Sequence, residues 1–313
     1  MDPAGDPGDG GAPLVTVVVA TFDSRVTLAR ALASVTRQTF RDFEVWVVGD
    51  ACTDGSEAVV SALGDDRFRW ADLPRNTGSQ AGPNDEGARR ARGRYLAYLG
   101  HDDLWFPWHL STLIDAAIRE PAAFVHGLGA MLGPDDRVEV AGPPPRGGSY
   151  AGHFVPPTNW LVERALVDRL GGWGDPTRLP RAVDVDLIRR IAASGARMTC
   201  ARRLTTLKFP STWWRTYAVD AARPQVAMDE AMARDAHALA IRILAAIAAD
   251  HAGAASSQPA RHAGAAWRAA MSAARRAVGA SLRAIDDWPI LRPILRWRYQ
   301  RLRRRLRAAR GLR

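Results

Sequence analysis

The stretch YLAYLGHDDLW, Tyr95–Trp105, runs from apolar strand-type residues into Gly100, His101 and two adjacent carboxylates, Asp102 and Asp103. Three readings are open for such a strand end: an acidic metal and phosphate site, an altered version of one, or a polar turn. The segments around it decide between them. Upstream, LVTVVVA (Leu14–Ala20) is a continuous β-branched run of the kind that forms a strand buried on both faces. TFDSRVTLARALASVTRQ follows, with Val26, Leu28, Ala31, Leu32 and Val35 at helical spacing and Asp23 or Ser24 placed to cap the start. FEVWVVGD (Phe43–Asp50) is a second strand ending on an acid, TDGSEAVVSALG a helix, FRWADLP a short third strand and NDEGARRARG a small helix. RYLAYLG (Arg94–Gly100) is then the fourth strand. Strands alternating with helices at these lengths predict an α/β fold with a mostly parallel sheet flanked by helices.

In such sheets ligands bind outside the carboxyl ends of the strands. Asp23, Asp50 and the Asp102–Asp103 pair all fall there. A single loop acid is usually a helix cap, but acids at three strand ends together point to a site. The first turn, ATFDSRVTL, has no glycine, so the chain lacks the dinucleotide fingerprint in which backbone approaches a pyrophosphate. Walker, HExxH, GxSxG and paired CxxC motifs are also absent. What is left is a nucleotide site built from acids. Carboxylates can accept from a base or a ribose but repel a diphosphate, so a hard divalent cation, Mn²⁺ or Mg²⁺, is expected beside them.

Three segments carry a resemblance: VTVVVATFDS, LARALASVTRQTFRDFEVWVVGDACTDGS and RNTGSQAGPNDEGARRARGRYLAYLGHDDLWFP. In order and spacing they resemble the nucleotide-binding half of a family 2 glycosyltransferase, over roughly residues 14 to 110. The resemblance implies a GT-A fold and inversion at the sugar's anomeric carbon. It implies a nucleotide-sugar donor, with a UDP-sugar the leading expectation, and a glycan or lipid-linked cell-envelope acceptor. Thr21 and Asp50 would line the base pocket, and Asn76, Gly78 and Arg89 would lie near the donor. Asp102 would stand nearest the metal, Asp103 would orient it or bind the donor sugar, and His101 is a candidate replacement ligand. In the second half AVDVDLIRRIAASG is similar to the family's Glu-Asp-Tyr-Asp-Leu-x-x-Arg helix start, which places the catalytic base on Asp184. Asp186 reads as a helix-start acid. The sequence departs from the family pattern at Gly100, Gly49 and Val183, each of which stands where the family has an acid. These departures leave a second reading open, a sugar-nucleotide-binding or scaffold protein without turnover.

The remaining organisation is read from composition. Residues 1–13, acidic and rich in Gly and Pro, read as a disordered leader. Residues 14–228 are expected to form the GT-A domain, with a nucleotide-binding half at 14–110 and an acceptor half at 111–228. A helix (229–250), a linker (251–263) and a basic helical tail (264–313) follow. The acceptor half holds a long Pro/Gly loop and the pair Trp213–Trp214, which could face a sugar or pack in the core, and His153 and Lys208 are candidate diphosphate contacts. The tail carries 14 of the arginines against Asp286 and Asp287, so the formal charge of +10 belongs to it and the rest of the chain is near neutral. Leu291, Leu295, Tyr299, Leu302 and Leu306 mark one apolar helical face, with Trp288 and Trp297 nearby. That face fits an anionic membrane surface better than nucleic acid. With two distant cysteines, Cys52 and Cys200, and no apolar run long enough to span a bilayer, free thiols and a cytoplasmic or peripheral location are expected.

Overall fold

The computed structural model describes residues 11–134, 136–145, 148–150, 153–214, 222–256, 297 and 300–305. Residues 1–10 of the leader, the linker beyond residue 256 and most of the basic tail, including Trp288, Leu291, Leu295, Tyr299 and Leu306, lie outside the described residues.

The first half alternates as its sequence predicts: β1 (Val15–Thr21), α1 (Arg25–Thr36), β2 (Phe43–Gly49), α2 (Ser56–Ser61), β3 (Phe68–Asp72), α3 (Ala81–Arg90) and β4 (Tyr95–Gly100). The second half adds β5 (Leu104–Trp105), α4 (His109–Arg119), β6 (Phe124–Leu132), β7 (Val138–Ala141), β8 (Trp160–Glu163), α5 (Arg164–Arg169), α6 (Val183–Ala193), β9 (Met198–Lys208), α7 (Ser211–Trp214) and α8 (Arg223–Ser256). The strands form one sheet in the order β3-β2-β1-β4-β8-β6-β9-β5, with β7 paired to β6. Strands β1 to β4 are mutually parallel. Beyond them β8 runs antiparallel to β4 and to β6, while β9 is parallel to β6.

Burial follows the pleat. Val15, Val17 and Val19 of β1 join the core under α1 and α4, and Val18 faces the opposite core, built from α3, α5 and α6. A third cluster joins β5 and β9 to α8 through Met232, Leu239 and Ile243.

Several boundaries differ from the sequence reading for local reasons. The α3 helix starts at Ala81, before Asn84, because Pro83 falls in its first turn, where an N–H is not required. Strand β5 is two residues long, too short to leave a periodic signal. The long helix α8 is broken at Asp235, whose extended backbone and side chain cap the second part by accepting from the Ala238 N–H at 2.9 Å. Ser24 makes no side-chain cap for α1; the Arg25 N–H donates to Asp54 at 2.7 Å instead, and Asp23 accepts from the Thr53 N–H at 2.7 Å. These two acids stitch together the loops that follow β1 and β2. Both cysteines are free thiols.

Candidate active site

The register of the parallel strands brings their ends level: Thr21 pairs with Gly49 across β1 and β2, and Ala20 with Gly100 across β1 and β4. The chain leaves β1 toward β2 on one side and reaches β4 on the other, so the crevice lies at the point where strand order reverses, the expected place for a ligand. A cavity of about 480 Å³ opens there, within the range of small-molecule sites, and Thr21, Asp50, Asn76, Gly78, Asp102 and Asp184 are among its lining residues.

Thr21 ends β1 with its Oγ1 buried and without a protein partner among the described residues, and Thr158 on the far wall is in the same state. A buried hydroxyl without a partner, facing a cavity, suits a ligand atom. Asp50, buried just past β2, has each carboxylate oxygen on a backbone N–H, from Thr77 at 2.8 Å and from Gly78 at 3.1 Å. It therefore fixes the 76–80 loop as well as lining the cavity. Gly78 has a φ of 65°, a left-handed conformation that favours glycine.

Strand β5 runs antiparallel to β9 with Leu104 opposite Leu207 and Trp105 opposite Thr206. One step outward on the same register, Asp103 faces Lys208. Lys208 Nζ donates to Asp103 Oδ2 at 2.9 Å and the Phe209 N–H donates to Oδ1 at 3.1 Å, with the Asp103 side chain fully buried. Burial pushes the Lys208 pKa down, but the carboxylates of Asp103, Asp102 and Asp184 outweigh it and hold the ammonium above its ordinary value. His101 is turned so that its Nδ1 meets the Ala20 carbonyl at 3.2 Å. Gln225 of α8 fixes the turn from behind, sharing its Nε2–H with the carbonyls of His101 and Asp103 at 3.2 and 3.3 Å.

This geometry bears on the expected metal ligands Asp102, Asp103 and His101. All three line the cavity. Both oxygens of Asp103 are engaged, and the ammonium beside it repels a second cation, so Asp103 is a counter-ion to Lys208 rather than an open ligand. Asp102 is half-buried and faces the cavity. One carboxylate together with a substrate's phosphates is a coordination that Mg²⁺-type cations accept, and Asp102 fits that role. A Cβ at Gly100 would lie 3.0 Å from an oxygen of each of Asp102 and Asp103, so the missing first acid of the motif could enter only by moving both carboxylates. A separate group, Asp23, Cys52 and Asp54, has ligand-type atoms within 4.8 Å of one another. Its carboxylates already accept backbone N–H groups, and burial pushes the Cys52 thiol up to about 11, which keeps it neutral and a weak ligand.

Asp184 reaches the cavity from the first turn of α6. Val183, Leu187, Ile188 and Ile191 bury one face of that helix, which leaves Asp184 on the cavity side. Asp186 is buried and pairs with Arg190 at 2.7 Å, and Arg190 also donates to the carbonyls of Leu170 and Gly172 at 2.7 Å each. This brace sets the height of the helix start. Arg89 is not brought to the cavity: it sits on the outer face of α3, where it pairs with Glu86 at 2.8 Å. His153 Nε2 donates to the Pro143 carbonyl, away from the lining, whereas Lys208 lines the cavity. Trp213 lies under the Arg137 guanidinium, and Trp214 donates to the Leu132 carbonyl at 2.7 Å, so both pack on the β6–β7 hairpin.

A mostly parallel sheet flanked by helices, with an acid-lined cavity at the switch point and an acidic turn after the fourth strand, defines a GT-A-type fold. The profile of Glycosyl transferase family 2 matches residues 16–138. Two curated proteins match over about a third of the chain. Succinoglycan biosynthesis protein ExoO of Rhizobium meliloti is 40% identical over 105 residues, covering 34% of this chain and 30% of the relative. The GalNAc(5)-diNAcBac-PP-undecaprenol beta-1,3-glucosyltransferase of Campylobacter jejuni is 34% identical over 120 residues, covering 37% of this chain and 38% of the relative. The chain thus matches well under half the length of these relatives. In fold it is similar to the mannosyltransferase PcManGT of Pyrobaculum calidifontis, solved with GDP-Man and Mn²⁺, at a TM-score of 0.53 and 20% identity over 95% of this chain and 86% of that one. It is also similar to S. aureus TarS residues 1–349 in complex with UDP-GlcNAc, at a TM-score of 0.51 and 20% identity over 62% of this chain and 58% of that one. Among the described residues no helix is long and apolar enough to cross a membrane.

Proposed function

We propose that the chain is an inverting glycosyltransferase that moves a sugar from a nucleotide-sugar donor to a glycan or lipid-linked acceptor of the cell envelope. The observation that carries this reading is a single cavity that collects Thr21, Asp50, Asp102 and Asp184 from four distant parts of the chain. The relatives named for envelope polysaccharide and undecaprenol-linked glycans support the acceptor class, and the UDP-GlcNAc and GDP-Man complexes of the two similar structures support the donor class.

In this reading the nucleoside lies against Thr21 and Asp50, with the Thr21 hydroxyl satisfied by the ligand. Asp102 would hold a divalent cation, whose charge when bound neutralises the departing diphosphate. Asp184 takes the proton of the acceptor hydroxyl as that oxygen attacks the anomeric carbon from the face opposite the diphosphate. The bond from that carbon to the diphosphate oxygen breaks and the electron pair leaves with the nucleoside diphosphate, so the configuration inverts. Asp184 Oδ1 accepts from the neighbouring Val185 N–H at 2.9 Å, which helps to fix the carboxylate at the start of α6.

The test is transfer and donor hydrolysis with a panel of UDP- and GDP-sugars, with and without Mn²⁺. Asp184→Asn is expected to lower kcat by about 10²–10⁴ while nucleotide binding, read by thermal shift, is retained. Asp102→Asn is expected to lose the response to Mn²⁺. Wild-type turnover in both variants would sink the assignment. Tight nucleotide binding without turnover in the native protein would instead favour the sugar-nucleotide-binding reading, toward which Gly100 and the Asp103–Lys208 pair incline.

A further inference from the structure

The C-terminal segment meets the cavity. Its described residues, 297 and 300–305, are helical. Gln300 Nε2 donates to the carbonyl of Pro176 at 2.8 Å and lies 3.4 Å from that of Thr177, in the loop that leads to Asp184. Arg303 Nη2 donates to the Gly78 carbonyl at 2.9 Å. The two residues are three apart and share one helical face. Arg303 is half-buried and lines the cavity, whereas Arg301, Leu302, Arg304 and Arg305 are exposed. The helix is therefore anchored by one face to the two loops that rim the site, one from each half of the chain.

We propose that Arg303 binds the diphosphate of the nucleotide-sugar donor, so that the basic C-terminal helix supplies a donor-binding residue in addition to any role at a surface. This rests on the donor-site reading above. The charge balance of the cavity carries the assignment. Four carboxylates line it, from Asp50, Asp102, Asp103 and Asp184, and a diphosphate among them is repelled unless cations face it. The Lys and Arg side chains among the described lining residues are Lys208, which pairs with Asp103 at 2.9 Å, and Arg303, whose guanidinium reaches the cavity from the C-terminal helix. A guanidinium is a planar fork suited to two phosphate oxygens at once. Its position is set by Gly78, whose N–H is held by Asp50 and whose carbonyl takes Arg303. The same residue thus links the expected nucleoside end of the site to the cation.

The experiment is titration calorimetry on the full chain with UDP and GDP, and with uridine and guanosine. Arg303→Gln is compared with Arg303→Lys and with Arg301→Gln, which removes the same charge from an exposed position of the same helix. For the nucleotide that the native protein binds, Arg303→Gln is expected to weaken diphosphate binding about tenfold or more and to leave the nucleoside within about twofold. Arg303→Lys should fall between, and Arg301→Gln should match the native protein. Equal or tighter diphosphate binding by Arg303→Gln would overturn the proposal and make the helix a plug. An equal loss in Arg301→Gln would overturn it in favour of general charge attraction. If the native protein bound none of the four probes, the donor-site reading itself would fall, and this assignment with it.

Discussion

Glu44 is buried at the start of β2, opposite Thr16 of β1, and binds four groups at once. It accepts from the Thr16 hydroxyl at 2.9 Å, the Arg92 N–H at 2.8 Å, Arg92 Nε at 2.9 Å and Arg69 at 2.7 Å. Burial opposes its charge, yet the Arg92, Thr16 and Arg69 hydrogen bonds hold its pKa below the ordinary carboxylate value. Both arginines are partly exposed and can rehydrate, so the loss on truncation should fall below that of a fully enclosed pair. Glu44→Ala is expected to destabilise the fold by about 2–3 kcal/mol and Glu44→Gln by about half as much, read from denaturant midpoints. Midpoints unchanged in both would contradict this account. In the sequence Glu44 is one polar residue inside an apolar run. The Arg92 backbone that makes it structural lies 48 residues away.

Helix α3 shows how an element is seated by a missing side chain. Gly87 faces β1, and a Cβ there would come 2.3 Å from Val18 Cγ1, in a core already filled on that side. Gly87→Ala should gain helix propensity but lose more through overpacking, a net loss of about 1–3 kcal/mol. The companion variant Val18→Ala, combined with Gly87→Ala, should recover part of the loss in a double-mutant cycle; additive effects would show that the two do not meet. Helix α8 is docked by similar specifics, since Asp229 accepts from Arg30 of α1 at 3.4 Å and pairs with Arg37, which caps the end of that helix. Its pattern of Ala, Leu and Ile was readable as a helix. The break at Asp235 was not, because the residue serves as a cap only once both halves have found their partners.

For the molecule as a whole, two buried imidazoles set an acid limit on stability. His109 is stacked on Trp105 at 4.2 Å with both ring nitrogens buried and without a hydrogen-bond partner among the described residues, and burial pushes its pKa down to about 3. Burial likewise takes His126 down to about 4. Each folded value lies below the ordinary 6.5, so the unfolded chain takes up protons first as pH falls. The stability is fully present above 6.5 and is lost as pH drops toward 4 and then 3. At pH 5 each histidine should cost about 2 kcal/mol, from 1.5 units at about 1.4 kcal/mol per unit. Denaturant midpoints at pH 7.5 and pH 5 measure this. His109→Phe keeps a flat ring against Trp105 and should remove roughly half of the difference while leaving stability at pH 7.5 intact or higher. A pH difference as large in His109→Phe as in the native protein would exclude His109 as a source.

The β-branched run at Val15–Ala20, the strand–helix alternation and the acids at Asp50 and Asp102 were enough to specify a parallel sheet with a site at its carboxyl edge. Such features are local: burial on both faces selects the residue types of each strand, and short crossovers align the ends. The reach of the site was not local. Asp103 and Lys208 meet because of the antiparallel register between a two-residue strand and a strand more than 100 positions later. Gln225 and Arg303 arrive from helices that follow the matched segment, and Arg89, inside that segment, turns away to Glu86. The sequence by itself determined the sheet, its switch point and the acids that mark it. Only the tertiary structure decided which of those acids face the cavity and which cations answer them, because pairing between distant segments depends on register and docking rather than on the propensity of any one stretch.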